Sequence, residues 1–415
     1  MKIAYLCSDP GVPVYGDKGA SVHVRELTRA WQRLGHDMTV LAARPGGNPP
    51  SDYGVPVVAA KPEPIDERLA ALLRTDPSAG EDVARDVRAI LAAASLRQKA
   101  LPLLRSFQPD LVYERFALFG TAGIAVAREL GVPLILEVNA PLSQEQERHR
   151  GLAYGATARE LERHVLRSVD HVVAVSSALQ RWLVAAGVSP ERITVLPNAV
   201  DPARFDPGHV EGGTVRGRLG LADQPVVGFV GTLKPWHDVD TLVRAIALLR
   251  RRTPAPRLLV VGAGPERERL EKLARINGIG AATTFTGPVP HAGVAPYIGA
   301  FDVAVVPYGR ERTSYFSPLK LFEYLAAGRP VVAADVGDIR HCIRHGETGL
   351  LYPAGDTDAL ADAIGALLAD RSRASSLARA GREHVGAHHT WEHNARVVAE
   401  LGDELPHRES AGVLG

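Results

Sequence analysis

Residue type and spacing come nearest to chemistry in the segment Ser317-Pro318-Leu319-Lys320-Leu321-Phe322-Glu323. Ser317 suits a helix N-cap and Pro318 a first helical position, while Gly328 and Pro330 end the helix sharply. The unpaired N–H groups and the dipole at such a start attract an anion, and a diphosphate fits well. Lys320 adds a cation there, and Glu323 follows about one and a half turns into the helix. A carboxylate so placed can accept hydrogen bonds from a ribose diol, as the acidic residue of dinucleotide folds does. The plain alternative is a surface i,i+3 pair of Lys320 with Glu323 on a core helix.

Lysine is scarce enough to be informative. Of the 48 Lys and Arg, seven are Lys: Lys2, Lys18, Lys61, Lys99, Lys234, Lys272 and Lys320. Other motifs fail on context. Gly262-Ala263-Gly264 lacks the third glycine and the later acidic residue of a nicotinamide site, and no Gly-x-x-x-x-Gly-Lys-Ser/Thr loop exists. The pairs Asp238/Asp240 and Asp356/Asp358 stand at helix starts, where capping accounts for them, and His341 with His345 lacks a third ligand. No metal is therefore expected. The stretch Ser143–Ser168 alternates Arg148, His149, Arg150 and Arg159 with Glu145, Glu147 and Glu160, a solvated mixed-charge face more than a membrane-binding one.

These residues must be held by elements, and the apolar pattern supplies them. Ile3–Ser8, Met38–Ala42, Asp110–Arg115, Pro133–Val138, His171–Val175 and Ile193–Leu196 read as strands separated by helices, one of them long, over about Gln144–Ser168. After an irregular Pro/Gly/Asp-rich stretch the alternation restarts at Pro225–Gly231 and continues through Leu258–Gly262, Thr283–Thr286, Val303–Pro307 and Pro330–Ala334. Solidly apolar strands alternating with helices mean α/β architecture, two consecutive doubly wound Rossmann-like domains with ligands beyond the carboxyl ends of the strands. The expected division is 1–203, 204–388, and a last helix over 389–405 returning to the first domain.

Composition bounds the rest. The 415 residues are 46% hydrophobic and 23% charged, with a net charge of +1, so no bulk electrostatic case for nucleic acid exists. Two cysteines form no disulfide framework, and no apolar run reaches the roughly 18–20 residues of a membrane span. A cytoplasmic protein is expected.

The segment that opens at Ser317, with its surroundings, resembles the retaining glycosyltransferases of the GT-B fold, specifically the large GT4-type family. Gly231-Thr232-Leu233-Lys234-Pro235-Trp236-His237 looks like the donor-phosphate loop, Phe285-Thr286-Gly287-Pro288-Val289 like the base-contacting loop, and Gly346-Glu347-Thr348-Gly349 like a frequent late motif. Gly16-Asp17-Lys18-Gly19-Ala20-Ser21 sits where the family keeps a glycine loop, and Pro197-Asn198-Ala199-Val200-Asp201 resembles its interdomain signature. Order and spacing together make the resemblance specific. Departures are Tyr315 for the first of two glutamates eight apart, Thr232 and His237 at the usual Arg and Lys positions, and Asn139 for a frequent histidine.

The resemblance implies two domains facing across a cleft and transfer of a sugar from a nucleotide donor, UDP- or GDP-linked, with no cofactor and no metal. Lys234, His237 and Lys320 would carry catalysis, and Lys18, Gly19, Thr232, Gly287, Val289, Ser317, Pro318, Leu319 and Glu323 would bind donor. Asn139, His149 and Arg150 lie on the acceptor side. The acceptor stays open among sugars, cyclitols, lipids and thiols, with membrane contact only for a lipid. A non-catalytic nucleotide-sugar binder and a sugar-nucleotide epimerase are the alternatives.

Overall fold

A strand whose residues are all apolar needs cover on both faces, and the chain provides it with helices between parallel strands. A computed structural model of the protein describes residues 1–221, 224–251, 255–309, 315 and 317–407. The chain forms two compact units, one of Met1–Pro197 with the stretch from Trp391 onward, the other of Asn198–Thr390.

In the first unit β1 (Lys2–Cys7), β2 (Asp37–Ala42), β3 (Val57–Ala59), β4 (Leu111–Arg115), β5 (Leu134–Val138), β6 (His171–Ala174) and β7 (Ile193–Val195) form one parallel sheet in the order β3-β2-β1-β4-β5-β6-β7. In the second, β8 (Val226–Val230), β9 (Arg257–Val261), β10 (Thr283–Phe285), β11 (Val303–Val306), β12 (Val331–Ala334) and β13 (Leu350–Tyr352) run in the order β10-β9-β8-β11-β12-β13. Strands β4, β5, β8, β11 and β12 are buried at every residue, which explains their lack of polar alternation. The strand order reverses between β1 and β4 and again between β8 and β11. The loops that leave the carboxyl ends there open a crevice in each sheet.

The structure differs from the pattern reading in several places, among them a strand, β13, and a helix, Gly212–Arg218, that the apolar pattern does not suggest. Between Ala42 and Leu111, where the sequence suggests no element, lie β3 and the helices Pro64–Thr75 and Glu81–Phe107. The helix expected over 144–168 is two helices, Leu142–Arg150 and Gly155–Ser168. Gly151, at φ 78°, breaks it, and the Glu81–Phe107 helix clasps the break. Arg85 Nη1 donates to Arg150 O at 2.5 Å, and Tyr154 N donates to Asp86 Oδ2 at 3.0 Å. Residues 198–203 and 389–390, expected outside the second domain, fall in the second unit. Asn198 N and Nδ2 donate to Ser317 Oγ and O at 2.8 and 2.6 Å, and Val200 N donates to His389 O at 3.0 Å.

The final helix, Trp391–Glu404, packs along the Gly19–Arg33 helix inside the first unit. Trp31 Nε1 donates to Ala395 O at 2.9 Å, and the Trp391 ring meets His23 edge-on at 4.8 Å. Both cysteines are free and buried. Among the described residues, no helix is long and apolar enough to cross a membrane.

Trp391 is 4% exposed although it lies 368 residues from its ring partner His23, so the first unit should depend on it. Trp391→Ala is expected to destabilise that unit by about 3–5 kcal/mol, read as a lowered urea midpoint with an unchanged slope.

Candidate functional site

Three loops of the second unit, those that leave β8, β9 and β10, touch through bare backbone. Gly262 N donates to Gly287 O at 3.0 Å, Gly231 N to Val261 O at 2.9 Å and Leu233 N to Ala263 O at 2.9 Å. Gly231 and Gly262 hold φ values of 147° and 135°, and a Cβ on Gly262 would lie 2.1 Å from Gly231 O. Only glycine permits both the conformation and the approach. The loop Thr232–His237 is thereby pinned at the switch point, next to Tyr308 and the Leu319–Ala326 helix.

Lys234, His237 and Lys320 come together there. Lys320 Nζ stands over the Phe229 ring at 4.7 Å and the Tyr308 ring at 5.5 Å, and His237 meets the same two rings at 5.8 and 5.4 Å. Lys234 Nζ lies 5.6 Å over Trp236. An ammonium between aromatic faces keeps cation–π attraction but loses water. Burial draws the Lys320 ammonium down to about 7, with Glu323 pulling partly back. Burial, then Lys320, then Lys234 hold the His237 imidazole well below its ordinary range, against the bond to Thr232.

That bond fixes the tautomer. His237 Nδ1 lies 2.5 Å from the Thr232 carbonyl oxygen, which only accepts, so Nδ1 carries the proton. Neutral His237 then presents a lone pair at Nε2. In the free protein Nε2 therefore suits a hydroxyl or an ammonium.

The Leu319–Ala326 helix begins differently from the sequence expectation. Pro318 occupies the cap position, with no side-chain cap, and the Ser317 hydroxyl accepts from Asn198 instead. Leu319 and Lys320 are half-buried, and Tyr315 and Ser317 are buried. Glu323 is 6% exposed and accepts at Oε1 from His291 Nε2, at 2.7 Å. His291 follows the Gly287–Val289 loop. In that loop Gly287 is buried at φ 82°, and Val289 packs against the core of the unit. Thr232 is exposed and serves through its carbonyl. The Asp-x-Asp pairs are occupied within the protein. Asp356 caps the Thr357–Ala369 helix, Asp238 Oδ2 accepts from Thr241 Oγ1 at 2.8 Å, and both Asp240 oxygens take Arg269.

In the first unit the Gly19–Arg33 helix starts at exposed Lys18 and Gly19, and Lys18 makes no side-chain cap. Arg25 Nη1 steadies the preceding loop by donating to Val14 O and Gly16 O at 2.5 and 2.6 Å. His149 and Arg150 are exposed at the end of their helix, apart from Asn139 in the chain and on a different element. Asn139 follows β5 and is tied by Nδ2 to Glu137 Oε1 at 2.5 Å.

Glu137 and His291 are the residues that sequence reasoning misses. Glu137, fully buried, accepts from His23 Nε2 at 2.7 Å, Tyr113 OH at 2.8 Å, Arg115 Nη1 at 2.6 Å and Asn139. A lone charged residue inside the apolar run of β5 is the one signal that could have pointed to it. Burial by itself raises this carboxyl, but His23, Arg115 and the Asn139 bond outweigh it and bring it to about 2. An ionised Glu137 can only accept, so Asn139 turns its amide nitrogen toward that carboxylate and its carbonyl oxygen away from it.

Two family descriptions match the chain: Glycosyl transferases group 1 over residues 224–370 and Glycosyltransferase Family 4 over residues 18–204. A D-inositol 3-phosphate glycosyltransferase of Nocardia farcinica is 35% identical over 326 residues, 74% of this chain and 69% of its own. A glycogen synthase of Mycobacterium tuberculosis is 29% identical over 400 residues, 92% of this chain and 90% of its own. Among solved structures, HepE of Anabaena in complex with UDP-glucose superposes with a TM-score of 0.73 at 19% identity, covering 98% of this chain and all of that one. The expected GT-B architecture of two Rossmann-like halves is the observed one.

Glu137 has a folded pKa below its ordinary 4.5, so the stability it contributes is fully present above about 4.5 and is lost as pH falls toward 2. The contribution is on the order of 3 kcal/mol at neutral pH. Glu137→Gln should lower stability by about that amount at pH 7 and much less at pH 2.5, as read from urea unfolding at both.

Proposed function

Because the chain belongs to glycosyltransferase family 4 and is a glycosyltransferase, we propose that it takes its sugar from a nucleoside diphosphate donor, retains the anomeric configuration, and uses no divalent metal. One observation carries this reading. A single helix at the switch point of the second sheet puts Lys320 between aromatic rings beside Lys234 and His237 and, three residues later, Glu323 with its Oε1 held by His291. A diphosphate needs the first end and a ribose the second.

As the glycosidic bond breaks, negative charge grows on the departing diphosphate while the sugar gains oxocarbenium character. Lys234, Lys320 and the leading amides of the Leu319–Ala326 helix supply the positive field, which is worth more in the transition state than in the ground state. His237 takes a hydroxyl of the sugar at Nε2. Gly287 and Val289 bound the base, and Thr232 holds the loop through its carbonyl. In the first unit the open start at Lys18 and Gly19 offers amides to an anion, and the Asn139 carbonyl, turned away from Glu137, takes a hydroxyl. The acceptor is a hydroxyl compound, by likeness to relatives named for inositol phosphate and glycogen. Retention follows the resemblance of these loops to retaining enzymes.

Nucleoside diphosphate release is the test, with UDP- and GDP-sugars against sugar, cyclitol, lipid and thiol acceptors, in EDTA. Turnover with an α-linked product from an α-linked donor is expected to survive the chelator. Loss of turnover in EDTA with recovery on adding manganese would overturn the metal-free part. An epimerised donor formed without acceptor, or binding without turnover, would overturn the transfer itself.

Lys320 also makes donor affinity depend on pH. The ammonium form binds the diphosphate, and that form is lost as pH rises through about 7. Nucleoside diphosphate affinity, titrated by calorimetry, should therefore fall from pH 7 to 9. Lys320→Met should start lower and stay flat over the same range.

A further inference from the structure

Glu323 is almost fully enclosed, and among the described residues only one of its oxygens has a hydrogen-bond partner. His291 Nε2 holds Oε1 at 2.7 Å, with side-chain exposures of 14% for His291 and 8% for Glu323. A carboxylate at the end of a Glu side chain turns in a broad two-fold well, so its plane is undefined unless something grips it. Here the grip comes from outside the helix. His291 starts a 3₁₀ turn, His291–Gly293, just after Pro290, whose ring restricts the backbone entering that turn. The imidazole also lies 6.3 Å from the ring of buried Phe205, which limits where it can swing.

An ionised carboxylate only accepts, so His291 donates from Nε2 and commits Oε1. Oε2 is left with its lone pairs for a ligand.

We infer that His291 is a positioning residue for the donor nucleotide: by holding Oε1 of Glu323 it fixes the carboxylate plane so that Oε2 receives the ribose hydroxyls. The inference rests on the reading of Glu323 as the ribose grip given above. It also gives the turn after the base-contacting loop a second task. That turn carries the residue that aligns the sugar contact, so base and ribose are read by one continuous stretch, 287–291.

The test compares UDP and GDP, each with its 2′,3′-dideoxy analogue, by calorimetry on the full chain. His291→Ala should bind the ribonucleotide roughly threefold to tenfold more weakly, the effect of one side chain left unfixed. It should bind the dideoxy analogue as the parent protein does. In turnover the loss should fall on the donor KM rather than on kcat. His291→Gln, which can still donate to Oε1, should recover much of the affinity. Adding His291→Ala to Glu323→Gln should cost nothing beyond Glu323→Gln alone. Equal weakening of both nucleotides by His291→Ala would mean a merely structural role and would overturn the inference. So would full discrimination by His291→Ala alongside lost discrimination by Glu323→Gln. If Glu323→Gln itself keeps the discrimination, the ribose reading fails and the assignment to His291 falls with it.

Discussion

The contact of backbone with backbone at Gly231, Gly262 and Gly287 is the constraint on which the second unit's site depends. A Cβ on Gly264 would sit 2.2 Å from Leu233 O, and one on Gly262 even closer to Gly231 O. Side chains are therefore excluded from the seam, and three successive loops share hydrogen bonds as one surface. The same exclusion makes room for a cation. Lys320 Nζ lies 3.0 Å from where a Cβ on Gly231 would stand, so the glycine in the loop and the lysine on the helix presuppose each other.

Both units bury charge, and they resolve the cost in opposite ways. In the first, Glu137 is surrounded by four donors and stays ionised, giving a rigid polar anchor beneath Asn139. In the second, Lys320 lies between aromatic rings with, among the described residues, no carboxylate bonded to it, and its proton is held loosely. A satisfied charge builds structure, whereas an unsatisfied one is poised for a ligand of opposite sign. His237, crowded by the same lysines, yields its charge and becomes an acceptor.

The departures from the family pattern fit this division. The chain lacks the usual Arg and Lys at Thr232 and His237 and the first glutamate at Tyr315. In their place Thr232 contributes a carbonyl, His237 a lone pair, and Tyr315 a buried ring position. The positive charge is concentrated on Lys234 and on the helix at Lys320. Asn139 replaces an imidazole with an amide whose orientation a carboxylate dictates.

Much of the molecule was legible in the amino-acid order. Unbroken apolar runs such as Val226–Val230 and Val303–Val306 must be buried on both faces, so parallel strands under helices followed from local composition alone. Glycine, proline and lysine singled out the loops that the fold brings together at the switch point of the second sheet. Hidden from the sequence were the long-range partners. Nothing near Glu323 in the chain indicates His291, 32 residues earlier, and nothing near His23 indicates Glu137, 114 residues on. The break at Gly151 depends on Arg85 and Asp86, and the site of Trp391 on a helix at the other end of the chain. Periodicity reports only what a residue's own segment buries. Which charge a buried carboxylate meets, and hence whether it anchors a fold or awaits a ligand, is decided when distant segments pack.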